Sequence, residues 1–187
     1  MKTSLNYFIP ILIIITNVLM VTAFQDEAIF EEEDIYNRAL PPLPYSGMTV
    51  PGTKWCGPGN TSANYDDLGR FRETDKCCRA HDHCPETIES GSTKYSLFNP
   101  DMFPRMKCEC EQEFLNCLQN VNDFASSTVG RAYFGARSIC FKYASPIIHC
   151  TQYMEGTFSR RCIKYKFNVE KPHKWQFFDV PYYTAKK

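Results

Sequence analysis

Hydrophobic residues are distributed unevenly along the chain, and the first long apolar stretch lies at its N-terminus. Residues 7–23 have the sequence "YFIPILIIITNVLMVTA", with Lys2 before them and the small residue Ala23 at their end. A basic start, a short apolar core and a small final residue are typical of a secretory signal peptide. A membrane anchor is the alternative, but the run is shorter than the ~20 residues of a spanning helix. We therefore expect a signal peptide over residues 1–23.

Two later segments have the periodicity of helices, and the first follows Thr74. Thr74 suits an N-cap, and the segment "DKCCRAHDHC" after it contains no helix breaker. Helical spacing of i, i+3 and i+4 puts Cys78, His81 and Asp82 on one face. His83 points away from that face.

The second helical pattern covers residues 105–121, "RMKCECEQEFLNCLQNV". Glu111 shares a stripe with Phe114 and Leu118, so its carboxylate lies on the apolar side of the helix. A carboxylate in that position is costly unless it finds a partner. Either Glu111 lies at the rim and remains solvated, or it meets the imidazole of the first helix.

The remaining patterns predict a loop and a strand. Residues 50–69 contain four glycines and two prolines, which favours an irregular loop shaped by its backbone. Apolar and polar residues alternate over 162–169, "CIKYKFNV", as in a half-buried strand. The predicted domain is therefore mainly α with a small β region.

The cysteine content sets the expected cross-linking. All ten cysteines lie between Cys56 and Cys162, and an even number in a secreted chain favours five disulfides. Three cysteines fall on or beside each predicted helix, so disulfides are expected to join the two helices as an antiparallel platform. These cysteines are Cys77, Cys78 and Cys84 on the first helix and Cys108, Cys110 and Cys117 on the second.

Charge separates an acidic leader from a basic domain. Residues 24–47 are acidic, then proline-rich, and contain no cysteine, which is typical of a disordered leader or propeptide. The chain has 21 basic and 21 acidic residues; the first 40 hold two and six of these, which leaves 19 and 15, a net +4. We expect the domain, residues 48–187, to be drawn to anionic surfaces, although an ordinary mildly basic secreted domain would have a similar charge.

The segment "CCRAHDHC", residues 77–84, is compatible with a zinc site or a catalytic centre. Cys77, His81 and Cys84 have residue types that bind zinc, but paired zinc-ligand spacings are absent and a secretory compartment oxidises thiols. Calcium prefers carboxylate and carbonyl oxygens. The loop "WCGPG" offers such carbonyls, and a disulfide from Cys56 to the helix would bring them next to Asp82.

Six motifs together resemble the bee-venom-type (group III) secreted phospholipases A2. They are "WCGPGN", "LGRF", "TDKCCRAHDHCP", "CECEQEFLNCL", "GRAYF" and "KPHKWQFFDV", and the resemblance covers about residues 48–180. It implies a disulfide-rich phospholipase A2 fold built on two antiparallel disulfide-linked helices. It also implies a calcium-dependent enzyme that cleaves the sn-2 ester of glycerophospholipids to a lysophospholipid and a fatty acid.

The resemblance assigns roles to individual residues. His81 is implied as the base that takes a proton from water, Glu111 as the acceptor for its other ring nitrogen, and Tyr133 as the support of that carboxylate. We predict that Glu111 accepts from Nδ1 of His81, although the venom enzyme has an aspartate at this position. One Ca²⁺ ion is implied, and its ligands are the carbonyls of Trp55, Gly57 and Gly59 and the carboxylate of Asp82. The implied disulfides are Cys56–Cys78, Cys77–Cys117, Cys84–Cys110, Cys108–Cys140 and Cys150–Cys162.

The same resemblance implies an extracellular enzyme that works at a phospholipid membrane or micelle, with neither nucleic acid nor an obligate protein partner. Phe71, Val121 and Phe124 are candidates for the docking face or, equally, for the core. Asn60 begins an N-glycosylation sequon. Two other classes compete: a non-catalytic, cystine-rich toxin-like or receptor-binding module on this scaffold, and a purely structural cystine-rich domain.

Overall fold

The computed structural model describes residues 48–157 and 159–186, so the predicted signal peptide and the leader lie outside the described residues. Within the described part, no helix is both long and apolar enough to cross a membrane. The helices are α1 (Arg72–Asp82), α2 (Cys108–Val121) and α3 (Phe124–Ala136). The strands are β1 (Thr87–Ile88), β2 (Thr93–Lys94), β3 (Leu97–Phe98), β4 (Arg105–Met106), β5 (Ile139–Ala144), β6 (Ile147–Glu155), β7 (Arg160–Phe167) and β8 (Lys174–Asp179).

Residues 48–71 form no helix or strand, as the glycine and proline content predicted. At two positions of this loop the backbone requires glycine. A Cβ at Gly57 would lie 1.9 Å from the carbonyl oxygen of Met48, so only glycine permits this close backbone approach. Gly59 has a φ of +75°, a left-handed conformation that favours glycine.

Helix α1 begins before the predicted N-cap, and the prediction for Thr74 is wrong. The N-cap position is Phe71, whose side chain makes no capping hydrogen bond. Thr74 lies inside the helix with no exposed surface, and its hydroxyl donates to Asp123 Oδ1 at 2.8 Å. Asp123 is also the N-cap of α3 and forms a capping box with Ser126. A tertiary contact therefore decides the role of Thr74, and it joins α1 to the start of α3.

Helix α2 has the predicted buried stripe but begins later than predicted, at Cys108. Arg105 and Met106 instead pair with β1 as the short strand β4. The buried side chains of α2 are Glu111, Phe114, Leu115 and Leu118. The predicted apolar face is therefore confirmed, with Glu111 included in it.

The β region is larger than predicted. Strand β7 covers most of the predicted strand and has the expected alternation of half-buried and exposed residues. It pairs antiparallel with β6, and β5 pairs antiparallel with β8. These four strands have 6, 9, 8 and 6 residues and the three helices have 11, 14 and 13. The prediction of a mainly α domain with a small β region is therefore confirmed only in part, because the alternation of apolar and polar residues identified only one of these four strands.

All five implied disulfides are present, and no cysteine is free. Cys77–Cys117 joins α1 to α2, and the Cα atoms of Cys56 and Cys78, which join the glycine-rich loop to α1, are 5.1 Å apart. Because every cysteine is oxidised, none offers the thiolate that a zinc site would need. Disulfide cysteines belong to the buried core, to which α2, α3 and β8 also contribute. Its buried members include Phe114, Leu118, Val129, Phe134, Phe178 and Val180.

Candidate active site

His81 lies in the last turn of α1 and is enclosed by aromatic rings. Only 6% of its surface is exposed. Its ring stacks on Phe114 of α2, with centroids 4.3 Å apart, and meets the edge of Tyr133 of α3 at 5.0 Å. Three helices therefore fix the plane of the imidazole, which leaves it little freedom to rotate.

Glu111 is buried beside His81, so the alternative of a solvated rim position is excluded. Only 3% of the residue is exposed. The Tyr133 hydroxyl donates to Glu111 Oε1 at 2.8 Å, and its oxygen is 3.2 Å from His81 Nε2. Glu111 Oε2 lies 3.4 Å from the same nitrogen, and it has no hydrogen-bond partner among the described residues.

These contacts determine which imidazole nitrogen carries the hydrogen. The proton of the Tyr133 hydroxyl is committed to Glu111, so both groups facing Nε2 of His81 present oxygen lone pairs. We therefore assign the hydrogen of the neutral ring to Nε2, which leaves the lone pair on Nδ1. The prediction that Glu111 faces Nδ1 of His81 is therefore wrong, because the carboxylate faces Nε2. The predicted proximity of the two residues is found.

Tyr133 remains a hydrogen-bond donor because of its surroundings. Burial raises the pKa of the Tyr133 hydroxyl well above its ordinary value, and the charge of Glu111 raises it further, while Arg137 opposes the shift. An ionised phenol could not donate to a carboxylate. The protonated hydroxyl thus holds Glu111 in place at neutral pH.

The glycine-rich loop is held by Asp75, whose role was missed in the sequence. The Lys54 N–H donates to both oxygens of this carboxylate, at 2.9 and 3.0 Å. The Trp55 N–H donates at 2.8 Å and the Gly69 N–H at 2.7 Å. Asp75 has no exposed surface. Its position in the first turn of a helix gave no sign of this role, since the donors lie up to 21 residues away in the sequence.

The loop also presents a set of free backbone carbonyls that suits a hard cation. The carbonyls of Lys54 and Cys56 accept backbone hydrogen bonds from within the domain. The carbonyls of Trp55, Gly57 and Gly59, which alternate with these along the chain, accept no hydrogen bond from the described residues. These three oxygens together with a carboxylate are the donor types that calcium prefers.

Asp82 supplies a carboxylate with properties that fit the same ion. It lies one turn beyond Cys78, which is bonded to Cys56 of the loop. Desolvation raises the pKa of Asp82 to about 6, although much of the residue is accessible; His81 and His83 oppose this shift and Asp75 adds to it. A nearby cation would favour the charged form of this carboxylate. The residues present therefore fit a calcium ion.

The chain is similar to known proteins over most of the described residues. The family model described as Phospholipase A2 matches residues 49–144. A phospholipase A2 of Bombus pensylvanicus is 44% identical over 135 residues, which cover 71% of this chain and 98% of that protein. One of Apis dorsata is 42% identical over 138 residues, which cover 73% of this chain and 100% of that protein. The chain belongs to the phospholipase A2 family. A phospholipase A2 of Hoffmannihadrurus gertschi is 48% identical over 93 residues, 48% of this chain and 38% of that protein.

The three apolar residues suggested for the membrane face of this phospholipase A2 differ in exposure. Phe124, at the start of α3, is 78% exposed. Val121 packs against the core, and the Phe71 ring lies against Gly52, where a Cβ would meet it at 2.7 Å. Of the three, only Phe124 is largely exposed, whereas Phe71 and Val121 are half-buried.

We expect that replacing Asp75 with Asn in this phospholipase A2 lowers the free energy of unfolding by about 2–3 kcal/mol. The amide cannot accept all of the N–H groups that the carboxylate holds, and a lost hydrogen bond to a buried charged group costs about 1.5–3 kcal/mol. Denaturant unfolding with the disulfides intact measures the change. Glu73→Gln is the matched control, because this side chain is on the same helix and 65% exposed. Equal stabilities of the two variants would contradict the role of Asp75.

Proposed function

We propose that this phospholipase A2 hydrolyses the sn-2 ester of glycerophospholipids by a calcium-dependent attack of water activated at Nδ1 of His81. The observation that carries the proposal is the contact of His81 Nε2 with Tyr133 and with the otherwise unpaired Glu111 Oε2. This contact leaves Nδ1 as the only basic nitrogen of the ring. The chain has the parts that a non-catalytic module would not require.

His81 acts as the general base. Its neutral ring takes a proton from water through Nδ1 as the water attacks the ester carbonyl carbon, and the imidazolium then returns the proton to the departing alkoxide. Because Phe114 and Tyr133 restrain the ring plane, the lone pair keeps one direction through the cycle. Such pre-alignment lowers the entropic cost of reaching the transition state.

Glu111 and Tyr133 stabilise the imidazolium that forms. The buried carboxylate lies 3.4 Å from Nε2, and an opposite charge at that distance favours the protonated ring. The Tyr133 hydroxyl donates a hydrogen bond to the other carboxylate oxygen, Oε1 of Glu111, and so fixes its position. Glu111 therefore contacts His81 even though its side chain is longer than the aspartate that the venom enzyme has at this position.

The carbonyls of Trp55, Gly57 and Gly59 and the carboxylate of Asp82 are the proposed calcium ligands. When bound, the ion would polarise the ester carbonyl and stabilise negative charge on its oxygen. The Gly57 N–H donates to no described residue, so it is available to the same oxygen. Asp75 keeps the loop in the conformation that presents these groups.

We also propose that α1 and α2 run antiparallel, that residues 48–187 form the catalytic domain, and that the protein is secreted. The order of the cross-links supports the antiparallel arrangement, since Cys77 bonds Cys117 whereas Cys84 bonds Cys110. Five disulfides favour an oxidising compartment, in keeping with the signal peptide predicted over residues 1–23 and the leader predicted over residues 24–47.

The proposed partner is a phospholipid membrane or micelle, which Phe124 would enter first. Asn60 remains a proposed glycosylation site. Its side chain is on the surface of the glycine-rich loop, where Ser62 donates a hydrogen bond to Asn60 Oδ1 at 2.8 Å.

A Glu111 series tests the proposed function. We expect Glu111→Gln to lower kcat by about 10–10²-fold, because a hydrogen bond to a charged group contributes about 1.5–3 kcal/mol. The pH–rate profile is expected to change as well, since the imidazolium that forms during the reaction loses its neighbouring charge. Glu111→Asp is expected to be milder. Tyr133→Phe is expected to lose a supporting bond of about 0.5–1.5 kcal/mol.

Glu109→Gln is the matched control, because Glu109 lies exposed on the first turn of the same helix. Circular dichroism establishes that each variant is folded before rates are compared. A Glu111→Gln enzyme with the wild-type pH–rate profile would show that His81 has another partner.

A further inference from the structure

Arg161 of β7 is a buried cation whose hydrogen bonds all go to backbone carbonyls. Only 3% of the residue is exposed. Nη1 donates to the carbonyls of Phe134, Arg137 and Val180 at 2.6, 2.9 and 3.0 Å. Nη2 donates to the carbonyl of Gly135 at 3.1 Å. Three of these four acceptors belong to the last turn of α3 and its C-cap residue.

The end of α3 needs such a partner. The last four carbonyls of a helix receive no hydrogen bond from N–H groups of the same helix, and they form the negative end of its dipole. The last turn of α3 contains no basic residue of its own. Arg161 supplies side-chain donors to these carbonyls from a strand that begins more than twenty residues later in the sequence, and its positive charge adds to that of Arg137 at the C-cap.

The surroundings of Arg161 indicate that its partner is the helix end rather than a carboxylate. Among the described residues, no carboxylate lies within ion-pair distance of its guanidinium. The Tyr182 ring covers the guanidinium, with the Cζ atom 3.7 Å from the ring centroid. The flat guanidinium is thereby held between an aromatic face and four carbonyl oxygens, an arrangement that suits arginine and not lysine.

The helix turn that Arg161 holds is the turn that carries Tyr133. The Tyr133 carbonyl accepts the Arg137 N–H at 2.7 Å, and Tyr133 immediately precedes Phe134 in the chain. The Tyr133 hydroxyl must lie within hydrogen-bond reach of both Glu111 and His81. A small tilt of the helix end would displace the hydroxyl from these positions, and hydrogen bonds weaken steeply with distance and angle.

We propose that Arg161 is a positioning residue for the reaction: by holding the last turn of α3, it sets the place of the Tyr133 hydroxyl between Glu111 and His81. The inference rests on the proposed function of these three residues. It makes the hairpin of β6 and β7 part of the catalytic framework, although Arg161 itself touches no reacting group.

The test uses the full mature enzyme with a short-chain phospholipid below its micelle concentration, so that membrane docking does not enter the rate. Arg161→Lys keeps the charge, but a single ammonium cannot bond four carbonyls in the plane of a guanidinium. We expect kcat to fall about 3–10-fold with KM nearly unchanged, the loss of a hydrogen bond of ordinary strength. Arg160→Lys, on the same strand but exposed, is expected to retain wild-type kcat.

A double-mutant cycle with Tyr133→Phe separates positioning from general stability. If Arg161 acts through the Tyr133 hydroxyl, Arg161→Lys is expected to change kcat less than about 2-fold once that hydroxyl is absent. Additive losses in the double variant would overturn the proposal. So would an Arg161→Lys enzyme with wild-type kcat, or a loss matched by an equal fall in the folded fraction.

Failure of this inference can be distinguished from failure of the proposed function. If Glu111→Gln and Tyr133→Phe behave as expected but Arg161→Lys does not couple to Tyr133, only the positioning role is wrong. If Tyr133→Phe and Glu111→Gln leave kcat and the pH–rate profile unchanged, both are wrong. Should Arg161→Lys fail to fold, Tyr182→Leu uncovers the same guanidinium, and the same cycle with Tyr133→Phe applies.

Discussion

Replacing His81 with Gln is expected to reduce hydrolysis by about 10²–10⁴-fold, the usual contribution of a positioned general base. Glutamine is similar in size to histidine but cannot accept a proton at neutral pH. The fold is expected to persist, because α1 is joined to α2 and to the glycine-rich loop by disulfides on either side of the helix. Release of fatty acid from phospholipid vesicles, measured in the presence of calcium, gives the rate.

His83→Gln is the matched control for this substitution. His83 is two residues away, exposed, and bonded through Nδ1 to the Arg79 carbonyl at 2.7 Å. Its ring packs against Trp55 and Tyr65 of the glycine-rich loop but contacts neither Glu111 nor Tyr133, so we expect hydrolysis to stay within a few-fold of the wild-type rate. Calcium and vesicle binding are expected to be retained by both variants. If His81→Gln stays within a few-fold of the wild-type rate, water is activated by another group.

The second large effect is expected at the proposed metal site, where Asp82→Asn removes the one charged ligand. We expect calcium affinity to fall by about 10²–10³-fold, because the number of charged ligands is one of the properties that tune calcium affinities over several orders of magnitude. Isothermal calorimetry measures this without reference to catalysis. A fall in activity alone, with calcium affinity unchanged, would place the ion elsewhere.

Asp66→Asn provides the comparison for Asp82→Asn. Its side chain is 93% exposed and it lies in the same glycine-rich loop, so this variant tests whether loss of any nearby negative charge is sufficient to weaken calcium binding. We expect its calcium affinity to remain close to that of the wild type. Equal losses in the two variants would indicate a diffuse electrostatic effect instead of direct coordination.

Much of the site could be predicted because the relevant signals are local. Helical spacing placed Cys78, His81 and Asp82 on one face, and the stripe of α2 placed Glu111 on the apolar side of its helix, although it left open whether the carboxylate is buried. The resemblance to a known family supplied all five disulfide pairs, which spacing alone cannot determine. Glycine and proline content predicted the irregular loop that precedes α1.

Other features depend on partners that no local pattern reveals. Thr74 has the residue type of an N-cap, but Asp123, 49 residues later, accepts its hydroxyl proton. Asp75 has the place of an ordinary first-turn carboxylate, but three N–H groups of a distant loop converge on it. Which imidazole nitrogen of His81 faces Glu111 likewise depends on how α1, α2 and α3 pack together.

The sequence by itself thus determined two of the three helices of the site, α1 and α2 but not α3, together with the residue types that carry the chemistry and the family to which the chain is similar. The tertiary structure alone decided the start of α1, the extent of the β ribbons, the atom through which His81 meets Glu111, and the burial of Arg161 against the end of α3. The physical reason is one of range. Periodicity and turn propensity act between residues a few positions apart, whereas a buried polar group takes whichever partner the packed chain brings within hydrogen-bond distance.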